Sequence, residues 1–264
     1  VAGPVNCGRV ITPNLPWETH DSTLAQELGI ERVRLINDLE ANAYGVAALT
    51  SAEMVTIQAG DLNAVGNAAV ISAGTGLGEA GLFWDGKELM PFACEGGHAD
   101  FAPRNELESE LLQYLRARFG RVSYERVLSG KGQHLLYEFL RDVKGHAETP
   151  ALAPEMRSHN PSVVITRAGL KKTCELCVTA LDWYVSLYGA EAGNLALKMM
   201  ATGGVYIGGG IAPKIVQKLK EPVFIDSFVS KGRMKELLSS IPVRVIMNDQ
   251  TALLGAARVA GRML

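Results

Sequence analysis

Short apolar runs alternate with stretches in which apolar residues return every three to four positions, and this two-period rhythm persists for most of the chain. Runs of the first kind, bounded by Gly, Pro, Asn or Asp, read as strands, and stretches of the second kind as amphipathic helices. The strand pattern covers Val1 to Val5, Arg9 to Thr12, Arg32 to Ile36, Met54 to Ile57, Ala68 to Ile71, the apolar residues after Gly203 and Gly204, and Pro242 to Met247. Helical spacing predicts a short helix capped by Asp21 or Ser22, with Leu24 and Leu28 inward and Gly29 at its end. A second helix starts around Leu39. A third is capped by Asn105, with Glu108 at the capping-box distance and Leu111, Leu112, Leu115 and Phe119 on the buried face. Ser123 caps a short helix, and a long one runs from Thr173 to Met200 with Leu176, Ala180, Trp183, Leu187, Ala190, Asn194 and Leu197 in register. The last helix, Asp249 to Arg262, carries Ala252, Gly255, Ala256 and Ala257, small enough for close packing. Pro13 to Trp17 reads as extended and Lys144 to Pro161 as a surface loop. Alternating strands and helices make the class α/β, with a largely parallel or mixed sheet.

With 264 residues, 47% of them hydrophobic, the chain can bury a sizeable core. A net charge of -2, with both signs dispersed, gives no nucleic-acid or anionic-membrane surface. No apolar run approaches about 18 residues and no signal peptide opens the sequence, so a cytoplasmic location is expected. Cys7, Cys94, Cys174 and Cys177 are too dispersed for a disulfide framework. The Cys174-Glu175-Leu176-Cys177 spacing lacks the βαβ context of a redox motif, so buried helical thiols are the expectation.

The chemistry concentrates between Asn67 and Ala102. Ala68 to Ile71 feeds Gly74-Thr75-Gly76-Leu77-Gly78, where glycines with positive φ would let backbone N–H groups converge on an anion, joined by the Thr75 hydroxyl. Gly76, Gly78 and Gly81 also match the dinucleotide fingerprint, which must open a helix. Here Leu82-Phe83-Trp84, Asp85-Gly86 and Glu88-Leu89-Met90 follow, a hairpin pattern with a type I′ turn signal. Glu95-Gly96-Gly97-His98 then sets a carboxylate and an imidazole on a tight loop, suited to the hydroxyls of a neutral polyol. A zinc site would need three or four ligands, and the other histidines and cysteines lie elsewhere. Asn37-Asp38 follows a strand pattern and precedes a helix, where open α/β sheets place ligands, although Asp38 could equally be a plain N-cap. Glu125 is either a first-turn dipole partner or a ligand group. Gly208-Gly209-Gly210, ahead of Ala212-Pro213-Lys214 and a helix, is either a seat for a nucleotide or a site of tight strand-helix packing.

Taken in order, Val1-Ala2-Gly3-Pro4-Val5, Leu35-Ile36-Asn37-Asp38, Ser72 to Gly78, Cys94 to Pro103, Glu125 to Gly130 and Ile207 to Pro213 resemble the bacterial ATP-dependent glucokinase family. The resemblance implies the actin-like ATPase (ribonuclease H-like) fold, an α/β architecture with a small and a large domain about a cleft. The small domain would comprise residues 1–48 and 248–264, the large one 49–247. It further implies that Asp38 takes the proton from the glucose 6-hydroxyl as it attacks the γ-phosphate of ATP, and that Asn37, Glu95, His98 and Glu125 hold the other hydroxyls. Gly74, Thr75 and Gly76 would form a phosphate loop, and Gly208, Gly209 and Gly210 would lie near adenosine. Mg2+ would arrive on the nucleotide with no metal site in the protein, and the assembly would be a homodimer.

The family begins with an aspartate-containing, glycine-rich first phosphate loop, and no such segment precedes Val1 in this sequence. The chain therefore reads as lacking an N-terminal portion, with little or no activity expected of these 264 residues alone. The competing class is a non-catalytic sugar-sensing regulator on the same fold. Asp38 favours the enzyme, because a sensor needs hydroxyl contacts but no base.

Overall fold

The computed structural model describes every residue except Ala2, Thr12 to Trp17 and Leu264. The expected extended segment Pro13 to Trp17 and the end of the Arg9 to Thr12 strand fall outside the described residues. A small antiparallel meander comprises β1 (Val5–Asn6), β2 (Arg9–Ile11) and β3 (Glu18–His20). A second sheet comprises β4 (Met54–Gln58), β5 (Ala68–Ala73), β6 (Leu77–Trp84), β7 (Leu89–Cys94), β8 (Gly204–Gly208) and β9 (Val243–Ile246), in the order β4-β9-β8-β5-β6-β7. Its centre, β9-β8-β5, is parallel, while β4, β6 and β7 run antiparallel to their neighbours, so the expected mixed sheet is what forms.

The helices are α1 (Asp21–Leu28), α2 (Asp38–Val46), α3 (Glu106–Phe119), α4 (Gly130–Asp142), α5 (Leu152–Ser158), α6 (Pro161–Leu170), α7 (Glu175–Met199), α8 (Val216–Leu219), α9 (Pro222–Val229), α10 (Lys235–Ser240) and α11 (Thr251–Gly261). All six residues of β5 are buried, because helices cover both faces of the sheet. The period of two sorts them: Ala68 and Val70 pack with Ala43 and Val46 of α2, whereas Ala69, Ile71 and Ala73 join the large core around α7. Helix α7 is buried along most of its 25 residues, as its spacing predicted. Helices α2 and α11 pack backbone to backbone at Gly45 and Gly255, where a Cβ on either would overlap the other helix's main chain. Of the small residues expected to pack closely, Gly255 and the partly buried Ala252 do so, while Ala256 and Ala257 are exposed.

Four local expectations are corrected. Arg32 to Ile36 forms no strand: the alternation is present, but its ladder contacts are confined to one rung, Val1 N to Ile36 O and Asp38 N to Val1 O. Leu28 is exposed, because α1 buries no residue. The Lys144 to Pro161 segment contains α5. The β6-β7 connection spans Asp85 to Glu88 with positive φ at Gly86 alone, so it is not type I′, which needs two such residues. That turn geometry occurs instead between β1 and β2, where Cys7 and Gly8 have φ of 50° and 73°.

Candidate active site

Asn37 and Asp38 open α2, and they divide the work. The Asn37 side chain is the cap, its Oδ1 accepting from Leu39 N at 2.8 Å and Glu40 N at 3.3 Å while Nδ2 donates to Gly3 O at 3.1 Å. Buried and capping in this way, Asn37 fixes the helix start, and it still borders the cavity. The Asp38 carboxylate has only its neighbour's N–H, from Leu39 at 3.1 Å, and points into open space. The plain N-cap role open to Asp38 therefore belongs to Asn37.

Across that space, Gly96–His98 forms a 3-10 turn that carries Glu95 and His98 side by side, Oε2 to Nε2 4.0 Å apart. Both glycines are there for close approach. A Cβ on Gly97 would overlap the Leu77 carbonyl oxygen, and one on Gly96 would overlap the Glu79 carboxylate. The turn is stitched to the next element by Tyr124 N to Ala99 O at 2.9 Å, Phe101 N to Val122 O at 3.0 Å and Arg121 to the His98 carbonyl at 2.5 Å. The same stitching delivers Glu125 on the expected short helix, a 3-10 turn over Tyr124–Arg126 that Ser123 precedes without capping it by its side chain. Glu125 Oε2 accepts from Leu77 N at 3.2 Å and would lie 2.5 Å from a Cβ on Gly76.

The Gly74–Gly76 turn corrects its prediction in detail. None of Gly74, Gly76 and Gly78 has a positive φ; side chains crowd the last two, Glu125 at Gly76 and Leu39 at Gly78, while a Cβ on Gly74 would meet nothing closer than Gly210 N at 4.0 Å. Tyr188 OH accepts from Ala73 N at 3.2 Å, and Gly130 N donates to Gly74 O at 2.9 Å, which fixes the turn from α7 and α4. The second glycine turn lies against it. Gly209 has φ of 81° and a Cβ there would overlap Ala73, while Gly208 ends β8 against Ser72. The expected helix after Gly210 begins as a 3-10 turn over Ala212–Ile215 and continues only as the short α8.

These elements enclose one cavity of about 950 Å³, lined by Asn37, Asp38, Gly74, Thr75, Gly76, Glu95, His98, Glu125 and Gly209 among others. Gly208 and Gly210 flank the lining without joining it. Three lining residues escaped sequence reasoning. Ser72 borders the cavity, and among the described residues its buried Oγ has no hydrogen-bond partner. Lys131 and Arg126 are the cations of an otherwise acidic wall. Arg126 lies over the Phe119 ring, 4.4 Å from its centroid, whereas among the described residues no ion pair engages Lys131. The signal was present in Ser129-Gly130-Lys131-Gly132, a lysine between glycines at a helix start. Among the described residues no group of three or more His, Cys, Asp and Glu side chains is placed to hold a metal ion, and no helix is long and apolar enough to cross a membrane.

The Glucokinase family profile matches residues 1–263. The chain belongs to the glucokinase family. A glucokinase from a Nostoc species is 44% identical over 276 residues, spanning 100% of this chain and 81% of that protein. The crystal structure of a glucokinase from an Antarctic psychrotroph superposes with a TM-score of 0.83 at 33% identity, covering 99% of this chain and 79% of that one. A ROK family glucokinase from Streptomyces griseus, solved in complex with glucose and AMPPNP, superposes with a TM-score of 0.65 at 20% identity over 99% of this chain and 80% of that one. That last likeness establishes the fold alone. Membership of this family makes the chain an ATP-dependent hexose kinase on the actin-like ATPase fold.

Proposed function

We propose that this cavity phosphorylates glucose at its 6-hydroxyl, with ATP as donor and Asp38 as general base. The reading rests on one observation: Asp38 shares a single cavity with Glu95, His98, Glu125 and the Gly74–Gly76 turn. Glu95, His98 and Glu125 accept from and donate to the ring hydroxyls, while Asn37, occupied as the helix cap, borders the sugar mainly as support for Asp38. The carboxylate of Asp38 takes the hydroxyl proton as the sugar oxygen forms its bond to the γ-phosphorus, and the bond to the β-phosphate bridging oxygen breaks to release ADP. Thr75 and the N–H groups of its turn face the phosphates, with Ser72 and Lys131 beside them; the Gly208–Gly210 turn lies toward adenosine. Mg2+ carried by the triphosphate would neutralise part of its charge.

In this reading residues 1–48 and 248–264 form the small domain and 49–247 the large one, with the cavity between Asp38 on one side and the glycine turns on the other. A homodimer in the cytoplasm completes the proposal. The sugar-sensor alternative gains no observation of its own. A coupled assay of glucose- and ATP-dependent turnover tests the assignment in the protein as its gene encodes it. Asp38→Asn is expected to lower kcat by about 10²–10⁴. Turnover equal to that of the parent would remove Asp38 from the chemistry.

A further inference from the structure

Beneath the Glu95 to His98 turn lies a carboxyl group that the proposed chemistry does not use. Glu79 sits on β6, only 1% exposed, and neither of its oxygens has an N–H or hydroxyl donor. The polar group that faces it is another carboxyl, Glu191 of α7, itself 0% exposed. Two buried carboxylates in contact repel each other, and a proton held between them turns the contact into a hydrogen bond. The donors around the pair are unequally shared. Glu191 accepts from Asn194 Nδ2 at 2.7 Å and from Lys198 Nζ at 3.3 Å, whereas among the described residues Glu79 has no such donor. The shared proton therefore sits on Glu79.

The pair also joins both halves of the sugar wall. Glu79 pairs in register with Cys94, the residue before Glu95, and its carboxyl lies where a Cβ of Gly96 would be. Glu191 reaches Tyr124, the residue before Glu125, through Asn194, whose Nδ2 donates to Glu191 Oε2 at 2.7 Å and to the Tyr124 oxygen at 3.0 Å. We propose that Glu79 is a positioning residue of the sugar site: by donating a hydrogen bond to Glu191 it sets the spacing between the Glu95 to His98 turn and the Glu125 turn. This rests on the function proposed above.

Burial and the neighbouring Glu191 charge push the Glu79 carboxyl up to about 8, opposed by Lys198. The other groups facing the pair are Cys94 and Glu95 from the β7 side, Tyr188 from α7, and Lys231, which donates to Asn194 Oδ1 at 2.5 Å. Cys94 is itself pushed up by burial, and Lys231 is pulled down by burial. Below about 8 the pair keeps its proton and the wall its spacing. Above it the two carboxylates separate, and the grip on glucose weakens.

The test is the pH profile of the glucose KM, from pH 6.5 to 9.5, for the parent, Glu79→Gln and Glu79→Ala in the protein as its gene encodes it. The glutamine amide can donate to Glu191 but cannot ionise. It is expected to keep KM near the parent value at neutral pH and to flatten the alkaline rise that the parent shows. Alanine is expected to raise KM about tenfold at pH 7 with kcat within about threefold, the loss of one buried hydrogen bond to a charged group. Superimposable alkaline profiles for parent and Glu79→Gln, or a parent-like KM in Glu79→Ala, would overturn the inference. Should the alanine variant fail to fold, the glutamine profile alone decides. A parent that turns over no glucose at all would instead strike the proposed function.

Discussion

The wall that carries Glu95, His98 and Glu125 is fastened from several directions, by β6 and β7, by the stitching between residues 98–101 and 121–124, and by α7 behind it. The opposite wall, Asp38, rides on the end of one nine-residue helix held by the Asn37 cap, a single rung to Val1, the glycine contact with α11 and the packing of Ala43 and Val46 on β5 and β6. Wall and counter-wall thus differ in how they are fixed: one by hydrogen bonds between the turns that face the sugar, the other through the packed body of a helix whose first residue faces the cavity. The difference teaches that binding and chemistry can be disturbed separately here. A sugar-holding surface needs several acceptors at fixed spacing, while a base needs only one carboxylate at the right helix end.

Two glycine substitutions should separate the walls most strongly. Gly97→Ala drives a Cβ into the Leu77 carbonyl and Gly255→Ala drives one into the Ala41 carbonyl. Each should cost about 1–3 kcal/mol of stability, read from urea midpoints. The kinetic signatures should diverge: Gly97→Ala raises the glucose KM, whereas Gly255→Ala, which shifts the helix bearing Asp38, lowers kcat. Identical signatures would dissolve the distinction. Next in size, Lys131→Ala should raise the ATP KM about tenfold and leave the glucose KM unchanged, as expected for one lost charge-assisted contact. The smallest effect belongs to Asn37→Ala, which removes a cap worth about 1 kcal/mol, with kcat reduced more than glucose affinity.

Much of the stitched wall was legible in the sequence because its determinants are local. Apolar runs marked β5 and β9, the helical spacing marked α7, and the Asn105 side chain does accept from Glu108 N at 3.0 Å, as the capping box predicted. The opposite wall was harder to read. The Arg32 to Ile36 alternation records half-burial, but a strand also needs a neighbour to pair with, and the pattern of one segment cannot supply that. Asp38 and Asn37 are both good caps, and only the side-chain directions show which one is spent on the helix. The glycines of the Gly74–Gly78 turn were expected for their backbone freedom, yet Glu125 and Leu39, far away in sequence, are what exclude a Cβ at Gly76 and Gly78. For Lys131 the lysine between glycines was legible, but the hydrogen bond from Gly130 N to Gly74 O that brings it to the cavity spans 56 positions and was not. Helix α5 was hidden by a composition rich in Pro, His and Ala that suits a loop equally well.

Calorimetric titration of glucose, without nucleotide, into Asp38→Asn and Glu95→Gln tests most directly whether one wall holds the sugar and the other acts on it. The account predicts that Asp38→Asn binds glucose within about threefold of the parent while Glu95→Gln binds at least about tenfold more weakly, since a charge-assisted hydrogen bond is lost only in the latter. Loss of binding in Asp38→Asn together with parent-like binding in Glu95→Gln would contradict it.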